Sequence, residues 1–178
     1  VMLEAHNYTE EEGLRVKKDG LSFRTDYPHT KGNELIPMFM DNKDYHAAPF
    51  LYFAKSSLYK ELRFEEGIMF EDELFSFQLL RNCEKVVVLR EKLYNRRVRS
   101  GSVMTSTGKG IFRFDSITRV LQRLWEMYDV NPADKTLGKY ISRIGLLWYS
   151  YWMQMTVEEK EKKQEEYQKI RSQILKMH

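Results

Sequence analysis

The stretch "FEEGIMFEDELFSF", Phe64 to Phe77, sets five acidic side chains among bulky apolar ones. Glu71 and Asp72 stand out, because they lie between Phe70 and the run Leu74, Phe75, Phe77, where a core wants no charge. Carboxylates in that setting have two uses. They hold a helix start, where contact with exposed N–H groups and the macrodipole contributes about 0.3 to 1 kcal/mol each, or they carry chemistry.

Further along, "LYNRRVRSGSV" brings Arg96, Arg97 and Arg99 together in and beside an alternating strand. Period two puts Arg97 with Asn95 on one face and Arg96 with Tyr94 on the other. A solvated edge strand accounts for such arginines, and turn chemistry accounts for Ser100 and Ser102. His6, His29, His46 and His178 show no ligand spacing, so no histidine metal site is expected.

These groups need elements to hold them. "VMLEAHNY" reads as a strand, and the polar, Gly-punctuated segment after it as a hairpin or excursion. "NELIPMFMDNKDYHAAPFLYFAKSSLYKEL" supplies a short helix, a turn at Pro49 and a second helical piece. After Gly67, Glu71, Asp72 and Glu73 fill the first turn of a widely buried helix. "KVVVL" reads as a short buried strand and "KLYNRRV" as a second one. Ile111, Phe114, Ile117, Leu121, Leu124, Trp125 and Tyr128 recur at helical spacing, and Pro132 marks the break. A second stripe runs from Leu137 through Tyr140, Ile144, Trp148 and Trp152 to Met155, and is most simply a helix-packing face. "TVEE" from Thr156 is a capping-box pattern opening a charged last helix.

The whole chain bounds the answer. Its 178 residues are 42% hydrophobic and 31% charged, which suits a folded protein and excludes a low-complexity one. A net charge of +3 from 29 basic and 26 acidic residues argues weakly for a polyanionic partner. One cysteine, Cys83, leaves no intrachain disulfide and fits a reducing compartment. The opening residues lack a signal-peptide profile. The apolar stretch from Ile144 to Val157 falls short of the roughly 20 residues that cross a bilayer.

The order "F-x-x-G-I-x-x-E-D-E-L-F", a helix, "E-K-V-V-V-L" and "L-Y-N-R-R-V-R-S-G-S-V" resembles the C-terminal half of the catalytic domain of family 2 glycosyltransferases, from about Asn33 to Thr105, with "VMLEAHNY" resembling the preceding strand. The resemblance implies an α/β chain with a partial GT-A fold, its acceptor-side half with a few strands over residues 1–108, and a helical extension over 109–178. It puts the general base on Asp72, with Glu71 beside it, and contacts with a diphosphate on Arg97 and Arg99; Ser102 is a further candidate for holding phosphate, and His46, beside "AAPF", for lining an acceptor cleft, where a surface or capping role competes. Inverting transfer needs one carboxylate to take the proton of the attacking hydroxyl. A helix-start carboxylate is expected to be fixed in place and kept ionised.

The implied substrates are a nucleotide-diphosphate sugar and a glycan or lipid-linked acceptor in surface polysaccharide synthesis. The implied cation is Mg²⁺ or Mn²⁺, held by a nucleotide-binding half with an Asp-x-Asp motif that has no counterpart in these residues. The chain is therefore expected to be inactive alone, to self-associate through an exposed apolar face, and to work in the cytoplasm or at the inner face of the membrane. Two other readings compete. A nucleic-acid module built on "NRRVRSGS" predicts steeply salt-dependent binding, and the near balance of charge counts against it. A helical interaction or membrane-docking module predicts flotation with anionic liposomes.

Overall fold

The computed structural model describes residues 1–11, 14–99 and 110–176. The chain is mixed α/β. It divides into two compact units, one of Val1–Arg63 with Phe75–Thr107 and the other of Phe64–Leu74 with Gly108–His178. The chain thus enters the second unit twice, first with the stretch carrying Glu71 and Asp72 and again after Thr107.

The first unit is built on a sheet of β1 (Met2–Glu11), β2 (Leu14–Leu21) and β3 (Val88–Arg97), ordered β2-β1-β3. Of the hairpin or excursion expected here, β1 and β2 form the hairpin, antiparallel from Glu11 opposite Leu14 to Ala5 opposite Leu21. β3 returns parallel to β1, with Ala5 opposite Tyr94 and Tyr8 opposite Arg97. As the central strand, β1 buries consecutive residues, Met2, Leu3, Glu4 and Ala5. The Glu4 carboxylate accepts the backbone N–H of Phe23 at 2.8 Å.

α1 (Gly32–Asp41) buries Leu35, Ile36 and Phe39, one face of a helix. Gly32 allows a close approach, because a Cβ there would fall 1.7 Å from the Leu80 carbonyl oxygen. α2 (Glu71–Arg81) lends its later turns to this unit, burying Phe75, Phe77, Leu79 and Leu80. Pro49 opens a single 3-10 turn, Pro49–Leu51, and the second helical piece expected there is only another such turn, Ser56–Tyr59.

The two strands expected in "KVVVLREKLYNRRV" are one. Val86 is buried but makes only an isolated bridge to Thr30, while Val88–Arg97 runs unbroken. β3 is an edge strand whose middle faces water, with Leu93 61% exposed. Its cover comes from Phe50, which stacks on Tyr94 with centroids 4.7 Å apart and lies under the Arg96 guanidinium at 6.0 Å. Tyr94 and Arg96 therefore do share one face, as alternation requires.

The second unit packs α3 (Gly110–Val130), α4 (Lys135–Gln154) and α5 (Val157–Lys176). The aromatic stripe is a packing face. Phe114 of α3 lies 5.5 Å from both Trp148 and Trp152, and Tyr167 of α5 stacks on the two indoles at 5.1 and 4.0 Å. The Trp148 indole N–H donates to Thr118 at 2.9 Å, satisfying the one polar atom this ring takes inside. The Asp134 carboxylate caps α4 by accepting the Leu137 N–H at 2.9 Å. Thr156 and Glu159 form the capping box in both directions, at 2.9 and 3.2 Å.

Candidate active site

The segment leading into α2 is pinned at several residues within the helical unit. Glu65 accepts from Arg119 at 2.9 Å and from Arg123 at 3.1 Å. The Met69 N–H donates to the Ser116 hydroxyl at 3.0 Å. Phe70 sets its ring 5.0 Å from that of Tyr151. It also takes a φ of 66°, a left-handed conformation that costs a side-chain-bearing residue about 1 to 2 kcal/mol. Gly67, with φ 76°, makes the same excursion without that penalty. Strain on a bulky residue directly before two acids is the kind of feature that gathers at functional sites.

The three acids of the first turn of α2 are not equivalent. Glu73 is buried, 8% exposed. Its two oxygens meet the Arg143 guanidinium as a parallel fork, at 2.8 and 3.1 Å. The Tyr140 hydroxyl stands 2.6 Å from Oε2 and 2.8 Å from the Glu73 carbonyl oxygen, placed to donate to either. Glu71 is half-buried and forms no ion pair among the described residues.

Asp72 is also half-buried, and no basic side chain pairs with it among the described residues. Its carboxyl is pushed up to about 6 from an ordinary 3.8, first by burial, then by the charges of Glu73 and Glu71, against hydrogen bonds from backbone N–H groups that pull it down. The helix start does not hold the Asp72 carboxyl at or below its ordinary value. Loss of water and two like charges outweigh the dipole.

A carboxyl that titrates near neutrality is suited to taking up a proton at working pH, because it is mostly ionised there yet basic enough to hold what it accepts. Glu73 is unsuited to that task, with both oxygens committed. Nor do the three acids form a metal centre: among the described residues no group of three His, Cys, Asp or Glu side chains could hold a cation.

The other expected site residues belong to the sheet-bearing unit. Arg97 lies at the end of β3 and Arg99 just beyond it, both exposed. His46 is half-buried, its Nε2 3.3 Å from the Ser22 carbonyl and its ring 5.6 Å from Phe23 at a steep angle, so it packs against its own unit. Ser102 lies outside the described residues, as does Ser100.

Glu73, Tyr140 and Arg143 are site residues that sequence reasoning missed. The acid could be read as part of the helix start, but its partners stand 67 and 70 positions away. A Tyr and an Arg one helical step apart, at i and i+3, are the sole local trace of them. Tyr151 is held up by burial. Among the described residues no helix is long and apolar enough to cross a membrane. No known protein family, no curated protein and no solved structure matches this chain.

Proposed function

We propose that the chain is the acceptor-side, base-bearing part of an inverting family 2 glycosyltransferase of GT-A type, with Asp72 as its general base. The observation that carries this reading is the carboxyl of Asp72, raised to about 6 at the head of α2 beside a Glu73 that is locked in an ion pair. The order of the "EDE" helix and the "YNRRVRSGS" strand supports it.

In the reaction, an acceptor hydroxyl oxygen attacks the anomeric carbon of a nucleotide-diphosphate sugar. The new C–O bond forms as the bond to the diphosphate breaks, the electron pair leaves with the diphosphate, and the hydroxyl proton passes to the Asp72 carboxylate. Acceptors are a glycan or a lipid-linked glycan. Roles for Arg97 and Arg99 in substrate contact rest on the resemblance, and those for Ser102 and His46 on side-chain chemistry in the sequence alone. The divalent cation rests on the resemblance alone; the described residues offer no ligand set for it, and no step here runs through it.

The test is sugar transfer by the full-length protein that carries this sequence. Asp72→Asn is expected to lower turnover by a factor on the order of 10² to 10⁴. Glu71→Gln is expected to do less harm. An Asp72→Asn protein keeping more than about a tenth of normal turnover would sink the assignment, because the smallest loss expected of a general base is roughly 10².

A further inference from the structure

Two adjacent carboxylates at one helix start compete for a proton, and something must decide which of them receives it. Glu73 is the more deeply buried, so its carboxylate has the greater need of a counter-charge and donors. The geometry meets that need. The Arg143 guanidinium meets Glu73 through two N–H donors at 2.8 and 3.1 Å, and Tyr140 adds its hydroxyl at 2.6 Å, so the charged form of Glu73 has a full set of donors.

We propose that Arg143 is a positioning residue that acts through Glu73: by committing the buried carboxylate to an ion pair, it makes Asp72 the proton-exchanging acid of the turn. The inference deepens the base assignment and rests on it for its functional meaning. Among the described residues of the helical unit, the charged and titratable groups about this turn include Glu71 and Glu73 on α2 itself, Tyr140, Arg143 and Tyr151 on α4, and Arg113 on α3, which acts on Tyr151. Arg143 is the cation that meets Glu73 directly. Its guanidinium carbon also lies 5.6 Å from the centroid of the Tyr140 ring.

The division of labour has a consequence for the chemistry. A base that must accept a proton at each turnover cannot also hold the helix in place through that carboxylate. Glu73 does the holding, and Asp72, one residue earlier, is left to exchange.

Carboxyl-carbon NMR titration of the chain reads the assignment without any need for activity. In the unaltered chain the midpoint near 6 belongs to Asp72 and disappears in Asp72→Asn. In Arg143→Gln, Glu73 loses its counter-charge, so the highest carboxyl midpoint is expected to pass to Glu73 and that of Asp72 to fall by about one pH unit. Arg143→Lys keeps the charge and should leave the high midpoint on Asp72. A high midpoint that stays on Asp72 in Arg143→Gln overturns the proposal, and so does an equal shift in the Gln and Lys variants.

Should Arg143→Gln fail to fold, Glu73→Gln supplies a background without the buried charge. There Arg143→Gln is expected to leave the Asp72 midpoint where Glu73→Gln alone puts it. A further shift on that background means that Arg143 acts on Asp72 directly, and the proposal falls. Because these titrations do not involve turnover, a normal transfer rate in Asp72→Asn would refute the base reading while leaving this result standing.

Discussion

Asp72→Asn should make the folded chain more stable at neutral pH, although it removes a charge from a helix N-terminus. The folded state holds the carboxyl at about 6 against an ordinary 3.8. That difference corresponds to about 3 kcal/mol at most, at roughly 1.4 kcal/mol per pH unit, and contact of the half-buried group with water reduces it to between about 1 and 3 kcal/mol. The sign follows from which state binds the proton more tightly. Well below the ordinary 3.8 the acid is protonated in both folded and unfolded chains and costs nothing. As pH rises through 6, the unfolded chain has already released its proton while the folded one resists, so stability from this group is lost. Asparagine does not titrate, keeps the size of the side chain and escapes that loss. Urea unfolding at pH 3, 5 and 8 should therefore show near-equal midpoints at pH 3 and a variant whose advantage grows between about pH 4 and 6 and then levels off. The helix-dipole argument predicts the opposite, a loss of about 0.3 to 1 kcal/mol at pH 8. An Asp72→Asn chain less stable than its parent at pH 8, or with an unchanged pH profile, refutes the account of Asp72 as a charge held against burial and its neighbours.

Arg123→Ala removes a 3.1 Å pair to Glu65 whose arginine side chain is 37% exposed, so urea unfolding should show a loss of only about 0.2 to 1 kcal/mol. Because Arg123 holds the Glu65 carboxyl below its ordinary 4.5, that contribution is present above pH 4.5 and fades as pH falls through the lowered folded value, so parent and variant should converge in acid. Thr156→Ala breaks the capping box before α5 and should cost about 1 kcal/mol, read as a lower thermal midpoint. Gly32→Ala drives a methyl group to within 1.7 Å of the Leu80 carbonyl oxygen. Backbone cannot move aside as a side chain can, so a loss of about 3 kcal/mol or more is expected, seen as poor soluble yield or a collapsed urea midpoint.

The elements that could be read in advance are those with a period and a marked end. α3 and α4 carry apolar residues at three and four, the break at Pro132 falls between Val130 and Lys135, and Thr156 and Glu159 announce α5. The strand order could not be read, because pairing β3 to β1 joins residues such as Ala5 and Tyr94 that lie far apart in the chain. β3 was misread as two strands because "VVV" looks buried by composition, whereas burial depends on what lies over it, and over most of β3 nothing in the local sequence says that no cover comes. In the candidate site, the acids were visible and their roles were not. The sequence shows three carboxylates of equal standing at a helix start. Their differences come from Arg143, Tyr140 and the depth of burial, all set by tertiary contacts.

Phe70 links those contacts to the chemistry. A left-handed φ before a helix is usually carried by glycine, and the chain does use one at Gly67. At position 70 it instead carries an aromatic ring, whose packing on Tyr151 contributes about 0.5 to 1.5 kcal/mol beyond area burial and so offsets most of the backbone cost of about 1 to 2 kcal/mol. The conformation is further held from both sides, by the Met69 N–H on Ser116 and by the Glu73 N–H on the Phe70 carbonyl oxygen at 3.1 Å. A glycine there would remove the strain but also the ring that ties the turn to α4. The chain thus accepts a small local penalty in exchange for fixing the direction from which α2 begins. Asp72 is the second residue of that helix, so the same contacts that strain Phe70 also limit the places its carboxylate can occupy. Rigidity here belongs to Phe70 and Glu73, and the group left to exchange a proton stands between them.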